Sequence, residues 1–248
     1  VRRFLYWHLP IGAALIGAVT FGAGFYSFLR GDIGKPVDAI VRSPAAGPAS
    51  PRQTIAPIIL GDSLAQGAGD STGLGIGGRL DQELRQRKIP AKRTVNVAVS
   101  GARTADLLRL LESRNVRTLL AQSNVVIISI GGNDLWGGSD WRNAPPSRPE
   151  AVMDAVLDRI AKVVGVVREA NPHARIFLIG LYSPFGPQLA PLVTRWNSRQ
   201  LERFAGDSNL TVLQTADLFS HRDRLSLDRF HPGAEGYQLI ARRIADAL

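Results

Sequence analysis

The chain has 248 residues, enough for one folded domain of about 150–200 residues and a further segment. Hydrophobic residues make up 45% of it, as a packed core needs, and the absence of cysteine excludes disulfides, thiolate metal sites and a cysteine nucleophile. A formal net charge of +9 favours anionic surfaces such as lipid headgroups or acidic polymers.

Residues 1–30 begin with Arg2 and Arg3, followed by an uncharged stretch from Leu9 to Leu29. At about 1.5 Å per helical residue, that stretch spans a hydrocarbon core of about 30 Å. Tyr6, Trp7 and Tyr26 sit near its ends, where interfacial aromatics belong. No small-x-small cleavage site is evident, so the segment reads as an uncleaved membrane anchor with the folded domain extracytoplasmic. The alternatives are a cleaved signal, giving a secreted or periplasmic protein, and a buried helix. Residues 31–54 form a Pro/Ala-rich linker containing Pro36, Pro44, Pro48 and Pro51, too poor in apolar groups to pack.

From residue 55 to 248 strand and helix patterns alternate. Apolar or β-branched runs predict strands at 57–61, 94–99, 124–131, 174–180 and 210–214. Helices are predicted at 75–88, 104–121, 150–170, 189–205 and 233–247, with Asn171-Pro172 ending the third. In the third, Val152, Val156, Ile160, Val163, Val164 and Val167 make one apolar face. This order predicts an α/β fold: a three-layer α/β/α sandwich with a five-stranded parallel, flavodoxin-like sheet. Basic side chains cluster between Arg79 and Arg117, but no aromatic residue interleaves them, so no nucleic-acid partner is expected.

The first strand runs into Gly61-Asp62-Ser63-Leu64. This puts Ser63 at the carboxyl end of a strand, where open α/β sheets bind ligands. Serine there is either a turn residue or a nucleophile, and the second role needs a histidine base and an acid to orient it. Asp228 and His231 lie three residues apart before the last helix, close enough for one turn to present both. Of the other three histidines, His8 is in the apolar segment, His173 ends a helix, and His221 is the reserve candidate. Gly101 follows the second strand, where a glycine either makes an ordinary turn or brings a free N–H to a ligand. Asn133 follows the third strand, as an Asx-turn residue or as an amide donor to developing negative charge.

Together these blocks resemble the SGNH, or GDSL, hydrolase family, whose four letters fall here on Ser63, Gly101, Asn133 and His231. Asp228 matches the family's acid three residues before the histidine. The run Gly61-Asp62-Ser63-Leu64-Ala65-Gln66-Gly67, continued by Gly69-Asp70-Ser71-Thr72-Gly73, is similar to bacterial lysophospholipase-like or lipase-like esterases. The resemblance covers about residues 56–247. It implies hydrolysis of lipid or small acyl esters by Ser63, His231 and Asp228, without metal or cofactor. It also implies an oxyanion hole from Ser63, Gly101 and Asn133. Ala65 and Gly233 depart from frequent family choices and leave the substrate open. An O-acetyl esterase acting on cell-envelope or capsular carbohydrate, and an idle anchored binding module, are the competing readings.

Gly67 to Gly78 reads as a rim loop, since the lysine of a phosphate-binding loop is missing. Trp136, and Trp141 after it, either line a substrate cleft or pack on the loop that precedes residue 150.

Overall fold

The computed structural model describes Ala23 and residues 54–135, 149–184, 189–220 and 222–248. The predicted anchor apart from Ala23, all but the last residue of the linker, and Trp136, Trp141 and His221 lie outside the described residues. Among the described residues no helix is long and apolar enough to cross a membrane.

Within residues 51–248 the described part holds five strands and eight α-helices. The first strand, β1 (Pro57–Gly61), leads into α1 (Ser63–Gln66) and α2 (Gly75–Gln86). Next come β2 (Val95–Asn96), α3 (Thr104–Leu110) and α4 (Arg114–Ala121). Then β3 (Val125–Ser129) is followed by α5 (Gly132–Leu135) and α6 (Pro149–Ala170). The chain continues through β4 (Arg175–Ile179), α7 (Ala190–Phe204), β5 (Leu210–Leu213) and two 3-10 turns to α8 (Ala234–Asp246). All five strands are parallel, in the order β2-β1-β3-β4-β5, as the predicted sandwich requires.

Of the three inner strands, β1 and β3 are buried along their whole length, which explains their unbroken apolar runs. Side chains alternate between faces, so Ile58, Leu60, Val126, Ile128, Ile176 and Leu178 pack under α3, α4, α6 and α7. Ile59, Val125, Ile127, Phe177 and Ile179 face the other way, against α2 and α8. Those two helices pack on each other and supply Ile76, Leu80 and Leu84 from one and Tyr237, Ile240 and Ile244 from the other. The predicted valine face of α6 is core: Val156, Ile160, Val163 and Val167 have no solvent exposure. Removing any one of these branched side chains costs about 2–5 kcal/mol where the cavity cannot collapse.

The prediction differs from the structure in two places. The expected helix 104–121 is two helices, because Ser113 adopts extended backbone (ψ 124°) at the N-cap of α4 while Leu111 is buried. The expected strand 94–99 shortens to Val95–Asn96, yet its pairing continues as Val97 N–H to Ile59 O at 3.0 Å and Val99 N–H to Gly61 O at 2.9 Å.

Candidate active site

β1 ends in Gly61, whose φ of +137° suits only glycine. A Cβ there would lie 1.8 Å from the Ser129 carbonyl oxygen of β3. The sharp turn lets Asp62 cap α1: its Oδ1 accepts the Leu64 N–H at 3.1 Å, and its own N–H donates to Ser129 O at 3.0 Å. Ser63 is therefore the first residue of α1, at the carboxyl end of a central strand. The N–H groups of a helix's first turn lack intrahelical acceptors.

The loop before α8 returns to this point. Its Ser226 N–H donates to His231 O at 2.8 Å, and Arg229 takes a left-handed φ of 55° to close the turn. Asp228 organises the turn from within. Its Oδ1 accepts from Ser226 Oγ at 2.5 Å, Phe230 N–H at 2.8 Å and His231 N–H at 2.9 Å. Its Oδ2 lies 2.7 Å from His231 Nδ1, and His231 Nε2 lies 2.8 Å from Ser63 Oγ. Partial burial alone pushes the Asp228 carboxyl up, but the Ser226 and His231 side chains and two backbone N–H groups hold it well below the usual carboxylate range. It is thus a fixed negative charge behind the imidazole.

Two tyrosines brace the region: one ties the histidine turn to the segment after β4, the other ties α8 to the turn that follows Ser63. Tyr182 Oη donates to Phe230 O at 2.7 Å, and Tyr237 Oη donates to Ala68 O at 2.6 Å. Burial pushes both phenols above their ordinary value, so both remain donors. The glycine-rich loop is pinned as well. Asp70 accepts from Thr72 and Gly75 and pairs with the buried Arg79 at 3.1 Å.

Gly101 and Asn133 follow the two strands that flank β1. Gly101 has φ +78° in the turn after β2, and Asn133 lies in α5 after β3. Asn133 Nδ2 donates to Ala102 O at 3.0 Å, so the carboxamide ties these turns together. Three residues singled out in the sequence, Ser63, Asn133 and His231, wall one cleft with Leu181, Tyr182 and Phe230. Gly101 does not itself wall the cleft; its turn reaches the site through Ala102. Every lining side chain except Asp62, Ser63, Ser129, Asn133 and His231 is glycine, apolar or aromatic.

Asp62 had no assigned role in the sequence, although it stands inside the Gly-Asp-Ser block. Burial pushes its carboxyl up to about 7, against the pull of backbone hydrogen bonds from Leu64 and Ala65 and with a push from nearby Asp134. Asp134, likewise unassigned, accepts from Thr104 and Arg159, residues too far away in sequence for a motif to join them.

A serine hydroxyl, an imidazole and a carboxylate in series, at the carboxyl edge of a parallel sheet, make an arrangement suited to acyl transfer. The GDSL-like Lipase/Acylhydrolase family model matches residues 59–239, and the chain belongs to that family, a family of esterases. The uncharacterized protein YpmR of Bacillus subtilis (strain 168) is 30% identical over 202 residues, covering 76% of this chain and 79% of that protein. The spore germination lipase LipC of Bacillus licheniformis is 26% identical over 205 residues, covering 76% and 93%. Among solved structures, the lipase Lip_vut3 from a goat rumen metagenome superposes with a TM-score of 0.67 at 23% identity, covering 78% of this chain and 97% of that one. The five-stranded sheet with its flanking helices is the SGNH hydrolase fold.

Proposed function

We propose that this esterase works through Ser63 as nucleophile, His231 as general base and Asp228 as the acid that orients it, on esters of lipids or small acyl groups. The observation that carries the reading is the continuous pair of hydrogen bonds, 2.8 Å from Ser63 Oγ to His231 Nε2 and 2.7 Å from His231 Nδ1 to Asp228 Oδ2.

Ser63 Oγ attacks the ester carbonyl while Nε2 takes its proton. Asp228 stabilises the imidazolium that forms. The carbonyl oxygen becomes an oxyanion facing the Ser63 N–H, the Gly101 N–H and the Asn133 amide. A preorganised donor of this kind contributes roughly 3–4 kcal/mol to the transition state. His231 then protonates the leaving alcohol, and water repeats the sequence on the acyl-enzyme. The apolar walls of the cleft, Leu181, Tyr182, Pro184 and Phe230, suit an acyl chain, and the relative named as a spore germination lipase supports a lipid ester.

A fluorophosphonate probe tests the nucleophile. Labelling at Ser63, lost in Ser63→Ala, is the expected result, with kcat down about 10⁴–10⁶-fold in Ser63→Ala and His231→Ala. An unlabelled wild-type protein would instead mark an idle binding module. Near-normal turnover in His231→Ala with loss in His221→Ala would move the base to His221. Assays with lysophospholipid, short acyl ester and acetylated sugar then rank the substrates; a preference for the acetylated sugar replaces the lipid reading with an O-acetyl esterase.

The proposal includes an anchor in residues 1–30, supported by the uncharged run from Leu9 to Leu29. The full chain should partition with membranes and resist a high-salt wash. Release by salt alone would assign attachment to the basic surface.

A further inference from the structure

The turns that carry Gly101 and Asn133 follow different strands, β2 and β3, with β1 between them. A hole assembled from such turns needs something to fix their separation, because the sheet ladder ends before either residue. The structure contains such a brace. Thr104 begins α3, three residues after Gly101, and has no solvent exposure. Its N–H donates to Asp134 Oδ2 at 2.9 Å, and its hydroxyl donates to Asp134 Oδ1 at 2.6 Å. Asp134 is the residue after Asn133. Arg159, midway along α6, then spans both partners: Nε donates to Thr104 Oγ1 at 2.6 Å and Nη2 to Asp134 Oδ1 at 3.1 Å.

The directions of these bonds are mutually consistent. The threonine hydroxyl accepts from the guanidinium and donates its own hydrogen bond to the carboxylate, so each group has a defined orientation. The carboxylate is buried and paired with the arginine. The arginine stem is rooted in a 22-residue helix whose other face is core. With the Asn133 amide bound to Ala102 O, the two turns are joined through the side chains of two consecutive residues, Asn133 and Asp134.

The geometry points to Thr104, Asp134 and Arg159 as positioning residues that set the distance between the Gly101 N–H and the Asn133 amide. This rests on the oxyanion role proposed for those two groups. None of the three touches the reacting atoms; each acts through the turn it holds. Because the oxyanion gains its charge only in the transition state, loosening the brace should lower kcat and leave substrate affinity alone.

Thr104→Val keeps the branched shape and removes the hydroxyl, while Thr104→Ser keeps the hydroxyl. In the full chain, assayed in detergent with p-nitrophenyl butyrate, Thr104→Val should lower kcat per folded molecule roughly ten- to hundredfold, with KM within about twofold. Thr104→Ser should recover most of that loss. Inhibition by a boronic acid, whose serine adduct is tetrahedral and anionic, should weaken in step with kcat. Arg159→Met, a change at a side chain 34% exposed, should act in the same direction and decides the matter if Thr104→Val does not fold. Unchanged kcat per folded molecule in the folded variants, with only thermal stability lowered, overturns the brace. Wild-type enzyme that fluorophosphonate does not label at Ser63 overturns the nucleophile assignment and the brace with it. A labelled wild type beside an unimpaired Thr104→Val overturns the brace alone.

Discussion

Gly69 leaves no room for a side chain beside His231: a Cβ at position 69 would lie 2.8 Å from the His231 Cβ and 2.8 Å from Ser226 Oγ. The backbone there is also left-handed, with φ +87°. The rim loop therefore serves as the mould against which the histidine turn is set. Gly69→Ala must both strain its own backbone and displace the imidazole. A shift of about 1 Å in a reacting group costs on the order of 100-fold in rate, so kcat should fall by about ten- to hundredfold. Thermal unfolding should also show a loss of about 1–3 kcal/mol from backbone strain. Steady-state kinetics on a folded variant checks this, and normal kcat would mean the histidine turn finds its place without the loop.

Asn133 donates one amide hydrogen to Ala102 O at 3.0 Å, and the proposed oxyanion contact would use the second. Asn133→Ala removes both. Loss of the tie should cost about 1 kcal/mol of stability. Loss of the proposed oxyanion donor should lower kcat by about 10²–10³ with little change in KM. Turnover that stays normal per folded molecule would leave Asn133 with the structural tie alone.

The Asp70–Arg79 pair is buried at both ends. Arg79→Met strands the Asp70 carboxylate and should cost about 3–5 kcal/mol, while adding Asp70→Asn should recover part of that. Although burial pushes the Asp70 carboxyl up, hydrogen bonds from Arg79, Thr72 and Gly75 hold it down at about 2. A depressed folded-state value means that its stabilisation is present above the ordinary 3.8 and lost as pH falls through about 2. Thermal melts of wild type and Asp70→Asn should therefore converge over that acid window. Parallel melting curves would show that the carboxylate adds nothing.

Asp62 has the opposite sign. Burial pushes its carboxyl up to about 7, so the folded state binds a proton more tightly than the unfolded chain, whose carboxyl titrates near 3.8. The stability this confers is complete below 3.8 and declines as pH rises through about 7. Wild type should lose stability over that interval by a few kcal/mol more than Asp62→Asn. Melting temperatures measured across it test the claim, and equal slopes for the two proteins would remove Asp62 as the cause.

These residues differ in how far the sequence disclosed them. The strands were legible because β1 and β3 are buried on both faces and cannot alternate with polar residues. The Asp228–His231 contact was legible because three residues separate its members and one turn closes it. By contrast, Arg159 meets Thr104 across 55 residues and Asp134 across 25, and no local pattern signals such a partnership. The break between α3 and α4 was equally silent, since neither glycine nor proline marks it and Ser113 alone starts the second helix. Asp62 was visible inside its motif, but its unusual proton affinity comes from burial, which a motif does not express.

The Tyr237–Ala68 hydrogen bond and the packing of α2 on α8 close the molecule between segments made at very different moments. Ser63 and His231 are 168 residues apart. At a synthesis rate of about 5–20 residues per second, the serine leaves the peptidyl transferase centre roughly 10–30 s before the histidine does. The sheet's first strands can be in place while Ser63 still has no imidazole beside it. On the triad proposed above, a nascent chain stays without hydrolytic power until the loop before its final helix brings His231 to Ser63.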